Sequence, residues 1–392
     1  MLTIQTTSTV NITAGLNLLP IYSDIVMIAT DYSTNVNNFL FQIIVNGMDY
    51  SDFSVSANGN YQGSINLSTV LDGIINADPS TDINQFINIG DVSSGAIKKI
   101  NYIITSRDLN NTIINQIDNT DNTSSQPLYV FNGVVPRDSP DVQKDPYYFF
   151  PNASNGHYLK KVNNDIYMQN PSTAEINDVH FLSFLDGSFG GSMPLVDVSS
   201  LNFAFYSGNS STNTNYVFSK STLPKIVTIN LAKAPGITNT PYKMVVSNPQ
   251  GLLPPVTVYF VDKNKIHDPY TILWTNQLGV QDSFLFNRVP QKDIAITSYT
   301  LGWYTKKIYN IDIDPVYYVM SDLMDDLNSK ALEDLFYTPK AFALSKDWTS
   351  KQPIIIINDD TRTIYNKWNV DKILQHQISF APSARQIVQK LS

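Results

Sequence analysis

Asn-Gly dipeptides set the strongest local constraint on how this chain can fold. In "NFLFQIIVNGMDYSDFSVSANGNYQGSINLS" apolar residues alternate on each side of Asn46-Gly47, and Asn58-Gly59 follows twelve residues later. A two-residue hairpin turn needs positive φ at its central positions, which Asn and Gly adopt at little steric cost. Each pair therefore predicts two antiparallel strands folded back on one another. Asn132-Gly133, after "PLYVF", repeats the signal.

Composition points the same way. Charged residues make up 15% of the chain, against about 25% in an ordinary globular domain. Asn, Ser and Thr take up the difference. Branched and aromatic side chains suit a pleated surface and Asn suits turns. The 22 Tyr and 19 Phe are too many for a disordered chain, which lacks the apolar surface needed to offset ordering entropy. The expected class is all-β, mainly, with two or three β-sandwich domains of immunoglobulin-like size, as strand and turn signals at this spacing imply. A length of 392 residues accommodates that number of domains.

Residues 118–127, "DNTDNTSSQP", contain no large apolar side chain and read as a linker. The expected organisation is an N-terminal sandwich over 1–117, a middle β domain over 128–236, and a C-terminal β domain over 237–392. In the middle domain "LNFAFYS" reads as a strand and "GNSSTNTN", 208–215, as a loop tip. "KIVTINLA" alternates Ile226, Thr228 and Asn230 against Val227, Ile229 and Leu231. The C-terminal domain holds one helical insertion near 318–338, within "DPVYYVMSDLMDDLNSKALEDLFYTPKAF". There Leu323, Leu327, Ala331 and Leu335 recur every four residues, and Pro339 ends the segment.

Several function classes lose support at once. A net charge of −8 with no cluster of Lys and Arg argues against gripping nucleic acid by its phosphates. Without Cys there is no disulfide framework and no thiolate zinc site, and the four His do not form a metal signature. The first twenty residues lack the basic and apolar regions of a signal peptide, and no apolar run is long enough to span a bilayer, so no membrane partner is expected.

Candidate chemistry resolves into plainer readings. Asp312 and Asp314, Asp325 and Asp326, and Asp359 and Asp360 are paired carboxylates of the kind glycoside hydrolysis uses. The alternation in "IDID" is also what the wet side of a half-buried strand looks like. His180 follows Asp178 by two residues, an acid-base pattern with no nucleophile specified beside it, and "HDPY" at 267–270 is similar. "DGSFGGS" at 186–192 misses the spacing of a nucleophile elbow. "DNTDNTS" is rich in hard oxygen ligands but lacks EF-hand spacing. Aromatic runs at 145–151 and 302–309 could stack on sugars, or serve as core and subunit contact. No catalytic residue, cofactor or metal ligand is assigned.

"ILWTNQLGVQDSFLF", 272–286, predicts a β-hairpin in which Trp274 and Phe284 pack on one side and Gly279 permits the turn. Asn276 or Asp282 would accept from amides the turn leaves unpaired.

Three ordered segments carry a resemblance. "LLPIYSDIVMIATDYSTNVNNFLFQIIVNG" with "GNYQGSINLSTVLDGII" is similar to the N-terminal pattern of virion structural proteins from tailed phages of Bacteroidetes hosts, including crAss-like phages. The 272–286 hairpin resembles that group's "W/F-(L/T)-N-x-x-G-x-x-D-x-(F/Y)-x-F" signature through Trp274, Asn276, Gly279, Asp282, Phe284 and Phe286. "LEDLFYTPKAFAL" followed by "QPIIIINDDTRTIYNKWNVDKILQHQISFAPSARQ" resembles its C-terminal module. The chain departs from the group's usual "NRxG" at Gln277-Leu278.

The resemblance implies a non-enzymatic tail, collar or baseplate component that sits in the virion after assembly in the host bacterial cytoplasm. Its implied partners are other copies of itself, as a cyclic homo-oligomer, and other virion proteins. Few Lys and Glu and many aromatics suit a subunit with extensive contacts. The rival expectations are a carbohydrate-binding or receptor-binding sandwich, as in an adhesin or fibre, and a glycoside hydrolase.

Overall fold

The computed structural model of the protein describes residues 1–8, 18–20, 25–71, 74, 81–120, 128–132, 165–169, 179–186, 198–219, 223–236, 242–261, 270–276, 279–286, 288–301, 307–321, 332–338, 340–345, 351–357, 376–383 and 386–390. Among them the architecture is all-β and multi-sandwich-like, built from five sheets that are antiparallel except for two strand pairs.

The first layered unit sets strands β1 (Leu2–Ser8), β3 (Ile25–Asp31) and β6 (Gln62–Asn66) against a six-stranded sheet. That sheet has the order β2 (Leu18–Pro20), β10 (Leu128–Phe131), β8 (Ile97–Arg107), β4 (Asn38–Val45), β5 (Met48–Ser56), with β9 (Ile113–Asp118) also on β8. Alternation in β3 sends Ile25, Met27 and Ala29 into a core shared with Phe39, Phe41, Ile100 and Ile104 of the opposite sheet. Each of the larger side chains contributes about 1.5–3 kcal/mol by leaving water. Asn46 and Gly47 take φ 51 and 82 between β4 and β5, the turn their sequence predicts. Asn58-Gly59 instead turns the chain from β5 into β6 of the other sheet, with positive φ at Tyr61, and Gly133 lies outside the described residues. After β6 the chain makes a short helix, Leu67–Val70, capped by Asn66, whose side chain accepts the Ser68 N–H.

The second unit packs β12 (Phe181–Asp186), β15 (Lys225–Asn230) and β7 (Ile87–Gly90) against five strands in the order β11 (Asp165–Gln169), β17 (Val256–Val261), β16 (Lys243–Ser247), β13 (Ser200–Ser207), β14 (Ser210–Val217). Two assignments change here. Residues 210–217 are strand β14, paired along their whole length with β13; only the turn around Gly208, at φ 62, is a tip. Asn is a poor strand former, and the ladder with Leu201, Phe203 and Phe205 overrides that preference. β15, whose sequence alternates polar and apolar residues, is buried along its whole length, with Ile226, Val227 and Ile229 all in the core of the unit. Its polar members find partners: the Thr228 and Ser183 hydroxyls meet at 2.8 Å, and the Asn230 amide donates to the Ile83 carbonyl.

The third unit is an eight-stranded sheet: β19 (Gln281–Phe286), β18 (Tyr270–Thr275), β22 (Ala341–Ser345), β23 (Gln352–Ile357), β24 (Gln377–Pro382), β21 (Lys307–Met320), β20 (Arg288–Leu301), with β25 (Gln386–Lys390) on β21. The expected helix near 318–338 is shorter than its sequence pattern. Pro315–Met320 continues β21, pairing with β20 and β24, and the helix observed is Glu333–Tyr337. The branched and aromatic residues of "PVYYVM" fit a strand between two partners. Residues 322–331 lie outside the described residues. Leu332 and Leu335 are buried against Trp274, Val319 and Phe380.

Strand pairing crosses 118–127 in both directions. β10 follows that segment yet pairs with β8, and β7 precedes it yet pairs with β15. Asn119, inside the expected linker, is fully buried; its side-chain oxygen accepts the Tyr102 N–H at 2.6 Å.

Candidate functional site

The hairpin of β18 and β19 brings together the residues of the sequence signature. Its register sets Tyr270 opposite Phe286, Ile272 opposite Phe284 and Trp274 opposite Asp282. Asn276 closes the turn: its N–H donates to the Val280 carbonyl, its carbonyl accepts the Gly279 N–H, and its side chain accepts the Val280 N–H. Asp282 is engaged differently from Asn276, its carboxylate accepting the Ser283 N–H at 2.9 Å.

Because side chains alternate, the hairpin has two working faces. Tyr270, Ile272, Trp274 and Phe286 enter the core of the eight-stranded sheet, with Phe284 packed at its margin. From the other face Leu273 meets Val179, Phe181 and Leu344. At the turn Val280 joins the core of the second unit, and Gly279, at φ 76, lies directly on the Asn132 carbonyl at the end of β10. The hairpin is thus where three cores meet.

That joint contains a pairing the sequence did not specify. Ser283 Oγ lies 3.2 Å from His180 Nδ1 and accepts the Phe181 N–H at 3.3 Å. A serine beside a histidine is the first half of a nucleophile and base. Here both residues are buried, His180 at 3% exposure and Ser283 at 9%, and the hydroxyl is committed to the backbone of β12. A nucleophile must meet substrate, so the arrangement serves to tie β12 to β19. The two residues are 103 apart in sequence, and no local pattern links them. Asp178 lies outside the described residues. Gln281, on the same face as Ser283, buries its side-chain amide with neither oxygen nor nitrogen bonded.

Two further polar groups are built into the interior. Asp186 and Lys225, directly opposite each other on β12 and β15, form a buried ion pair at 3.0 Å. The second Asp186 oxygen accepts the Val198 N–H, and the lysine also donates to the Ser219 carbonyl. Asp31 ends β3 with its carboxylate sealed from solvent. One oxygen accepts from the Ser33 N–H, the Ser33 hydroxyl and the Met1 amino group, the other from the Ser106 hydroxyl at 2.6 Å and the Asn115 amide at 2.8 Å. Burial alone would raise its pKa, but these bonds outweigh burial and hold the carboxyl far below the usual range. Asp91 is lowered too: burial raises it, and the Ser93 and Ser94 bonds overcome that in a tight turn.

Other candidates divide by place. Asp312 and Asp314 lie two residues apart on β21, in register with Thr297 and Ala295 of β20. His376 is buried beside Ser321, whose hydroxyl accepts its N–H. Asp325, Asp326, Asp359, Asp360, His267, the runs at 145–151 and 302–306, and residues 187–192 lie outside the described residues. No cluster of three or more His, Cys, Asp or Glu placed to hold a metal occurs among the described residues. No protein-family model matches this sequence, and a comparison with curated proteins gives no match.

Proposed function

We propose that this chain is a non-enzymatic structural component of a tailed-phage particle, placed in its tail, collar or baseplate. The observation that carries this reading is the convergence of the signature residues on an internal joint. Trp274 and Phe286 fill a core, Asn276 and Gly279 shape a turn docked on β10, and Asp282 holds backbone. The described parts of the other two resembling segments lie in the first sandwich and in the short helix and strands β22, β23 and β24. The polar side chains with catalytic potential, His180, Ser283, Asp186 and Lys225, are spent on joining strands.

Peptide mass spectrometry of purified particles tests it. The chain is expected in the particles at a fixed ratio to the other structural proteins. Its absence from particles, with abundance in infected lysate, would end the proposal. Within the protein, Asp282→Ala is expected to lower stability by about 0.5–2 kcal/mol, as loss of a backbone-satisfying side chain does. A variant of full stability that has lost a turnover activity would make the site catalytic instead.

One observation favours glycan binding as a second reading. Tyr32 and Tyr61 stand exposed at 71% and 47%, with ring centroids 6.2 Å apart. Such rings can stack on sugars, and a glycan array comparing the native chain with Tyr32→Ala decides it.

A further inference from the structure

Edge strands differ in what protects them. β5, the edge of the six-stranded sheet, carries Asp49 and Asp52 on its exposed side. β14, the edge of the five-stranded sheet, carries no charge and no proline, and from 198 to 219 the chain contains no Asp, Glu, Lys or Arg at all. A long, uncharged edge is a template for another strand, and proteins that must stay apart blunt such edges with charge, proline or a bulge.

Among the described residues β14 pairs with β13 alone, and that ladder fixes which of its groups are open. The Phe218 N–H donates to the Ser199 carbonyl, and the register then alternates down to the turn at Ser207 and Ser210. In an antiparallel pair only alternate residues exchange bonds, so 210, 212, 214, 216 and 218 are used by β13. The N–H and C=O groups of Ser211, Asn213, Asn215 and Val217 point away from the sheet. The side chains of these four are exposed, Val217 at 67%, while Thr214 and Tyr216 lean toward the core.

We infer that β14 pairs with β14 of a second copy of this chain, antiparallel across a two-fold axis centred on Thr214. That register sets Asn213 opposite Asn215 of the other copy and Ser211 opposite Val217, twice each by symmetry. All four outward residues then meet outward residues, giving about eight interchain hydrogen bonds, close to the ten or so of a standard interface. Charge selects the occupant. Two copies at −8 each repel, and this hairpin is a face on which they meet with no carboxylate opposed to another. Pairing two copies through β5 would instead bring the exposed carboxylates Asp49 and Asp52 of both copies to one seam, and like charges across strands are destabilising. The result is one continuous sheet of two five-stranded halves. The inference does not rest on the phage assignment.

Sedimentation of the full chain is expected to show a dimer. Asn213→Pro removes one outward N–H and none that β13 uses, and Asn215→Lys puts like charges across the axis. Each is expected to weaken the dimer at least about tenfold with the thermal midpoint of the dilute, monomeric chain preserved. The chain has no Cys, so Thr214→Cys offers a single crosslink. Directly opposed Cα atoms at a non-bonded pair sit about 4.5 Å apart, inside the range a disulfide spans. Mild oxidation is expected to give a covalent dimer from native protein and none in denaturant. A chain that stays monomeric at every concentration overturns the inference, as does an oligomer untouched by Asn213→Pro and Asn215→Lys and not captured through Cys at position 214. A chain that is monomeric alone and covers β14 only with a different protein also overturns it.

Discussion

Gly279 and Gly47 both hold left-handed backbone, at φ 76 and 82, yet they differ in what surrounds them. A Cβ at Gly47 would meet open space, whereas one at Gly279 would land on the Asn132 carbonyl. Gly47→Ala is therefore expected to cost only the conformational term, about 1–2 kcal/mol. Gly279→Ala must also push the hairpin off β10, and its loss of stability in urea titration should clearly exceed that of Gly47→Ala. Equal losses would mean that the turn does not bear on β10. Asp31 gives a prediction in pH. Its folded pKa is depressed, so its stabilisation is present above the unfolded value of about 3.9 and is lost as pH falls below it. The native protein should lose stability steeply below about pH 4. Asp31→Asn turns an amide toward donors, should cost about 2–3 kcal/mol at neutral pH, and should flatten that acid limb. A parallel acid limb in both proteins would assign the loss to other carboxylates.

At the scale of elements, β12 and β15 are held together by an ion pair whose desolvation is costly unless both partners remain. Lys225→Met leaves the Asp186 carboxylate buried opposite an apolar chain, an expected loss of about 3–5 kcal/mol. Adding Asp186→Asn removes the stranded charge and keeps an acceptor for the Val198 N–H, so the double variant should recover part of that loss. A double variant no better than the single would show that the charge is not the source of the cost.

The same strands show what a sequence can tell. Asn46-Gly47 and the 272–286 hairpin were legible because turn chemistry is local: positive φ and an Asn acceptor are properties of the residues themselves. β14 was not, because "SSTNTN" has turn composition and becomes a strand only through pairing with β13. "PVYYVM" lies next to a four-residue leucine repeat that suggests a helix, but β20 and β24 on either side determine its state. The joint was half legible: Trp274, Asn276 and Gly279 signal a hairpin, while Ser283 and His180 meet only through tertiary packing.

Across the whole molecule, the first two units are interleaved by exchange of strands. β10 supplies the first unit with the partner of Ile97–Ile100, and β7 lends the second a partner for Ile226–Ile229. Phe131 and Ile97 also sit in the second unit's core, so the exchange is apolar as well as hydrogen-bonded. Cutting the chain between β9 and β10 should consequently fail to separate it. A protease site placed within 121–127 of the folded protein is expected, once cleaved, to give pieces that co-elute under native conditions. They should part only in denaturant, where the ladders that join them are lost. The N-terminal piece made alone should lack a cooperative unfolding transition, since β8 loses one neighbour and β7 its only one. Pieces that separate in native buffer, each unfolding sharply, would show that the units are autonomous and that the crossing strands contribute little to holding them together.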